Sequence, residues 1–163
     1  MIQFSKHSGI VTLLIKQKIP VSINKAWKYF SAPQNLADIT PSHMGFRITS
    51  RINNYEMYPG QIISYRVFPF PGIGTNWVTE ITHVKNEEYF VDEQRFGPYA
   101  MWHHEHHFLS IPGGTEIIDQ VSYKLPLGFI GQLLERLIVR KKLKEIFNFR
   151  QKKLVEVFGI PSV

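Results

Sequence analysis

Cysteine is absent from this chain. Its absence excludes disulfides, thiolate metal sites and a cysteine nucleophile, and it leaves the redox compartment unread. Long apolar runs are also missing, since no stretch approaches the roughly 18 residues of a membrane-spanning helix. The opening Met1-Ile2-Gln3-Phe4-Ser5-Lys6-His7 has neither the apolar core nor the small-residue cleavage site of an export signal, so a cytoplasmic location is expected. Gly72-Ile73-Gly74 runs on into Thr75-Asn76-Trp77, so the third glycine of a dinucleotide fingerprint is lacking and a turn is the better reading. There is no nucleophile elbow, phosphate loop, zincin helix, internal repeat or low-complexity run. These absences leave one domain spanning 1–163, with no cofactor and no resident metal expected.

What is present is apolar and aromatic: 44% hydrophobic and 13% aromatic residues in 163. A chain of this length can bury about 70% of its unfolded surface around one core. Its longest regular pattern is at the end. From Phe129 to Phe158 no proline occurs, and Ile130, Leu133, Leu134, Leu137, Ile146, Phe147, Leu154, Val155 and Phe158 recur at three-and-four spacing. The spacing predicts one amphipathic helix, started after Pro126 and Gly128 and stopped by Gly159 and Pro161. At 1.5 Å per residue it would be roughly 45 Å long and would need a large partner surface.

The formal net charge is +6, and Arg136, Arg140, Lys141, Lys142, Lys144, Arg150, Lys152 and Lys153 all fall within that helix. They read as its solvated back, with long stems covering apolar surface. Without aromatic interleaving they do not suggest a nucleic-acid partner. Weak contact with acidic membranes is the most such a stripe implies, and the protein is expected as a monomer or homodimer.

Upstream, Val11 to Ile19 alternates like a half-buried strand and ends at Pro20. Ser22 stands as an N-cap before Ala26, Trp27 and Phe30, and a second short helix is expected from Gln34 to Asp38. From Met44 the period changes to that of strands. Six segments follow, at 46–49, 63–67, 77–81, 89–94, 102–108 and 115–123, parted by proline, glycine and asparagine turns. With the first strand this makes seven, and short links make them antiparallel neighbours.

A strand, two small helices, six strands and a long final helix is the element order of the α+β helix-grip fold, in which a curved antiparallel sheet wraps the last helix. The chain resembles the SRPBCC, or START-like, superfamily, which includes the birch-pollen-allergen proteins, lipid-transfer domains and polyketide cyclases. The run Asp92 to Phe108, with Thr115, Asp119, Tyr123 and Pro126, is similar to a bacterial subgroup of ligand-binding members, some labelled cyclase/dehydrase-like. The resemblance implies a cavity between sheet and helix for a hydrophobic small molecule such as a lipid, polyketide or isoprenoid.

The pleat sorts the candidate wall residues. Trp102, His104, His106 and Phe108 share one face, as do Phe90, Asp92 and Gln94, and Thr115, Asp119 and Tyr123. The apolar members should carry the polar ones inward. The expected binding residues are therefore Phe46, Tyr65, Trp77, Phe90, Asp92, Gln94, Trp102, His104, His106, Phe108, Asp119, Tyr123 and Leu134. Four roles fit the polar cluster: mutual hydrogen bonding within the core, anchoring of an otherwise apolar ligand, acid/base catalysis by His104 or His106 oriented by Asp92 or Asp119, and metal ligation through both histidines with Asp119 or Asp92 as a third ligand. Binding is the leading expectation, with a cyclase or dehydratase as the alternative. Tyr55, Tyr58, Phe68 and Phe70 are placed at the pocket mouth, while the outward His103, Glu105 and His107 read as solvated residues.

Overall fold

The computed structural model describes residues 2–52, 56–70 and 72–160, with Pro69 and Phe70 described by backbone alone. Tyr55, the Phe70 side chain and Pro161 lie outside the described residues. Turn chemistry sets the strand ends. Strands β1 (Ile2–His7) and β2 (Ile10–Ile19) meet at Ser8 and Gly9, whose φ values of 50° and 80° suit the two-residue turn that matches strand twist. Helix α1 (Ile23–Phe30) follows, and its N-cap Ser22 accepts a hydrogen bond from the Lys25 backbone at 3.4 Å.

Beyond α1, Pro33–Leu36 and Ser42–Met44 form only single 3₁₀ turns. The second short helix expected at Gln34 to Asp38 is present as the 3₁₀ turn Pro33–Leu36, opened by its proline and ending two residues earlier than expected. The chain then enters β3 (Arg47–Ile48), β4 (Gln61–Phe70), β5 (Ile73–Lys85), β6 (Tyr89–Phe96), β7 (Met101–Ile111) and β8 (Gly114–Lys124).

All neighbouring strands are antiparallel, in the order β1-β2-β8-β7-β6-β5-β4-β3. The sheet has eight strands, not seven. The extra one is β1, whose only apolar residues are Ile2 and Phe4, too few to mark an edge strand. Register shifts within the β4–β5 and β5–β6 pairs bend the long strands.

The last element runs as a continuous helix but is not uniform. Helix α2 (Gly128–Leu134) passes through a π stretch (Glu135–Val139) into α3 (Arg140–Phe158). A π turn holds one extra residue and rotates everything before it by about 100° relative to an unbroken α-helix. Gly131 and Glu135 consequently face the protein, and the expected stripe at Ile130, Leu133, Leu134 and Leu137 faces water. In the second half Phe147 and Leu154 of the expected stripe are buried and Ile146 and Phe158 partly so, but Val155 is exposed, and Leu143 and Arg150 join the buried face. Arg150 among them corrects its placement on the solvated back.

Two apolar clusters join helix to sheet. In one, Trp27 and Phe30 of α1 pack with Phe90, Phe108, Ile117 and Leu154. In the other, Val11, Leu13, Ile15, Val121 and Tyr123 meet Leu143 and Phe147. Burying each large side chain contributes about 1.5–3 kcal/mol. Among the described residues no helix is long and apolar enough to cross a membrane.

Candidate functional site

Between the two clusters the strands carry polar residues. On β8 Asp119 separates Ile117 from Val121, and on β7 His104 and His106 separate Trp102 from Phe108. Strand register supplies the partners. Asp92 of β6 lies opposite His104, and Asp119 of β8 lies opposite His106, so two histidines on the middle strand stand between two aspartates.

The four groups form a closed set. His104 Nε2 bonds Asp119 Oδ1 at 3.1 Å, and His106 Nε2 bonds Asp92 Oδ2 at 3.0 Å. The other nitrogens also face carboxylates: His104 Nδ1 is 3.3 Å from Asp92 Oδ2, and His106 Nδ1 is 2.8 Å from Asp119 Oδ1, although this last contact is out of hydrogen-bonding alignment. The imidazole rings are 3.7 Å apart at their centroids.

Burial alone would favour neutral Asp92, but the charges and hydrogen bonds of His104 and His106 outweigh it and hold the carboxyl well below the usual carboxylate range. Asp119 is held low by the same balance. For His104, desolvation opposes the imidazolium, yet Asp92 and Asp119 raise its pKa above the ordinary histidine value.

This cluster forms part of the wall of a cavity of about 270 Å³ enclosed by the sheet, α1, the 3₁₀ turns and α3. The rest of the wall is largely aromatic. Phe46, Tyr65, Trp77, Tyr99 and Trp102 follow one another at centroid separations of 4.8–6.0 Å. Their polar atoms are partly engaged elsewhere: Trp77 Nε1 donates to Thr79 Oγ1 at 3.0 Å, and the Tyr65 hydroxyl is 2.8 Å from the same oxygen. The cavity therefore meets ring faces. Helix α3 adds Leu143, Ile146, Phe147 and Arg150.

Of the thirteen expected wall residues, Phe46, Tyr65, Trp77, Phe90, Asp92, Trp102, His104 and His106 line this cavity. Five do not. Asp119 lies behind the histidines, in contact with both. Gln94 turns to the β6–β7 connection, where its amide donates to Tyr99 O at 2.7 Å and accepts from Tyr99 N at 3.1 Å. Phe108 is core, 5.5 Å from both Trp27 and Phe30. Tyr123 donates to Glu135 Oε1 at 2.8 Å, and Arg140 holds the same carboxylate at 3.1 and 3.3 Å. Leu134 is 38% exposed, turned outward by the π stretch.

Of the residues placed at the mouth, Tyr58 is exposed and Phe68 packs beneath the Arg66 guanidinium at 5.3 Å; neither lines the cavity. On the sheet's other face, His103 and His107 pair with Glu93 and Glu105. Arg150 and Tyr29 are among the cavity residues that sequence reading missed, as are Tyr99 and Leu143. The signal for Arg150 was its position, since 143, 147, 150 and 154 form one stripe at spacings of four, three and four.

Chemically, both nitrogens of His104 and Nε2 of His106 already meet carboxylates, while His106 Nδ1 faces Asp119 out of hydrogen-bonding alignment, so most of the cluster's hydrogen-bonding capacity is spent within itself. Asp92 Oδ2, His104 Nδ1 and His106 Nε2 lie within 4.8 Å of one another, a donor set that fits a small cation in number. Such a cation would have to compete with the proton that Asp92 and Asp119 favour on His104.

The chain matches no model of a known protein family, and it matches no curated protein. Solved structures are similar to it in shape. A protein from Mycobacterium smegmatis shares 14% identity over 96% of this chain and 98% of its own, with a TM-score of 0.67. One from Chromobacterium violaceum shares 11% over 91% and 98%, with a TM-score of 0.68. Ara h 8.0201 shares 15% over 91% and 99%, with a TM-score of 0.61. At such identities the likeness is one of fold: an α+β protein whose one long C-terminal helix packs against a large antiparallel sheet.

Proposed function

We propose that the protein is a helix-grip, SRPBCC-type carrier or sensor that holds one hydrophobic small molecule between its sheet and α3. The observation that carries this reading is the aromatic-walled cavity of about 270 Å³, with its few polar groups gathered at one place. Small-molecule sites combine an apolar lining with a small number of fixed polar groups, at roughly 300–1,000 Å³. The volume here suits a single chain or a compact ring system and is too small for a two-chain lipid. Binding is preferred over cyclase or dehydratase chemistry because three of the four histidine ring nitrogens, both of His104 and Nε2 of His106, are already engaged by Asp92 and Asp119.

Titration with the neutral fluorophore N-phenyl-1-naphthylamine tests this. Saturable one-to-one binding is expected, weakened about tenfold by Thr75→Trp, which narrows the cavity from β5. Native mass spectrometry of protein from its own host should show a bound small molecule. Absence of both probe binding and a co-purifying molecule overturns the proposal.

A further inference from the structure

Arg150 is only 7% exposed and borders the cavity, yet its Nε and Nη1 have no hydrogen-bond partner. The nearest carboxylate oxygen, Asp119 Oδ1, is 3.9 Å from Nη1 and is already met by His104 and His106. Otherwise the guanidinium lies 4.9 Å from the Phe147 ring centroid. A guanidinium stays charged at any ordinary pH, and burying its N–H groups without hydrogen-bond acceptors is unfavourable even with a carboxylate nearby. The Tyr29 hydroxyl, on the same cavity, is also buried without a partner. Asp92 faces the cavity too, but its Oδ2 is already met by His104 Nδ1 and His106 Nε2.

Two unmet donors at one cavity call for acceptor oxygens carrying negative charge. Resting on the small-molecule reading above, we infer that the ligand is an amphipathic acid. Its apolar body lies along the aromatic wall, and its carboxylate or similar oxyanion meets Arg150 and Tyr29.

Dodecanoic acid, dodecanol and methyl dodecanoate, each competed against the neutral fluorophore at pH 7.5, separate charge from apolar burial. The acid is expected to bind at least tenfold tighter than the other two. Arg150→Gln should erase that preference while alcohol and ester affinities stay within about threefold. Arg150→Lys, which keeps the charge but loses the fork, should retain part of it. Equal affinities of the three in the wild type, or an undiminished preference in Arg150→Gln, overturn the inference. If the fluorophore binds and none of the three displaces it, the acid-head inference falls and the carrier reading stands. If the fluorophore does not bind either, the cavity reading itself falls. Should Arg150→Gln not fold, the wild-type ranking and Arg150→Lys still decide the matter.

A different observation carries a second inference. Leu127, Phe129, Ile130, Leu133, Leu137 and Ile138 form one exposed apolar ridge, with Phe129 79% and Leu127 70% accessible. Leu127 also holds the left-handed backbone region, at φ 68°, which side chains with a Cβ seldom adopt. Over 125–144 there are five basic residues and one acid, Glu135, which is buried and paired with Arg140. A second copy of the chain would bring like charges together, whereas an anionic surface complements them. We propose that this ridge docks on anionic lipid bilayers.

The test is vesicle flotation at about 0.15 M salt, comparing phosphatidylcholine with and without about 30 mol% phosphatidylglycerol. Binding is expected to the anionic vesicles only, and the double variant Phe129→Ser with Leu133→Ser should lose it at least tenfold with the fold intact by circular dichroism. No flotation at that salt, flotation insensitive to the pair, or dimerisation that the pair abolishes would each overturn the inference.

Discussion

Asp119 on β8 and Arg150 on α3 approach to 3.9 Å without a hydrogen bond, while the two histidines occupy the intervening carboxylate. The sheet and the helix are thus electrically coupled through one buried oxygen. Removing that charge takes an acceptor from both histidines and the nearest anion from Arg150. Asp119→Asn, which keeps the shape, should cost about 3–5 kcal/mol in urea unfolding, as breaking a buried pair does. A loss below about 1 kcal/mol would show that the cluster is not coupled in this way.

The pH dependence follows from the same cluster. His104 has a raised pKa when folded, so the folded chain keeps a proton that the unfolded chain releases near pH 6.5. Its contribution is complete below that pH and disappears as pH rises through the folded pKa. Asp92 and Asp119 are held low, so theirs is present above the ordinary carboxylate pKa and lost only in strong acid. Melting temperature should therefore fall from pH 6 toward pH 9, with the slope reduced in His104→Asn. A rise over that range, or a stoichiometric stabilisation by zinc at pH 7, would contradict the ion-pair reading.

Phe108 and Phe46 were equivalent on paper and differ in place. Phe108 is almost wholly buried against Trp27 and Phe30, so Phe108→Ala should cost about 3–5 kcal/mol. Phe46 is half-buried beside Tyr65 on the cavity wall. Phe46→Ala should cost about 1 kcal/mol and instead alter probe affinity. Chemical denaturation of the two variants checks the contrast.

Tyr123→Phe isolates the anchor of the π stretch. It removes the donor to Glu135, a buried carboxylate still held by Arg140. A loss of about 1–3 kcal/mol is expected, together with faster amide exchange confined to 128–139. Unchanged exchange there would mean that this bond does not hold the segment in place.

Much of the fold was legible because turn residues are local signals. Pro112-Gly113-Gly114 and Gly97-Pro98 bound strands wherever they pack. The inward parity of His104, His106 and Asp119 was legible too, since Trp102 and Phe108 fixed their face. What was not legible depends on distant geometry. The direction in which Gln94 turns depends on the Tyr99 backbone, and the outward turn of Leu134 depends on one extra residue in a helical turn. Arg150 was hidden by a sound habit: an arginine among lysines is usually solvated, and only the stripe it shares with Phe147 and Leu154 points the other way. The strand β1 left a sign in Ser8-Gly9, a two-residue turn before a clear strand, but its own side chains are too polar to proclaim it.

The seam between β2 and β8 joins early and late chain. Thr12 and Ser122, neighbours across β2 and β8, are 110 residues apart in sequence. During synthesis the first hairpin must wait, with one edge open, until nearly the whole polypeptide has emerged. Closing such a distant pairing is slow, on the order of milliseconds to seconds for sheet-dominated domains. The N-terminal hairpin is therefore the part most exposed to premature association, and the part that a nascent-chain chaperone would have most reason to cover.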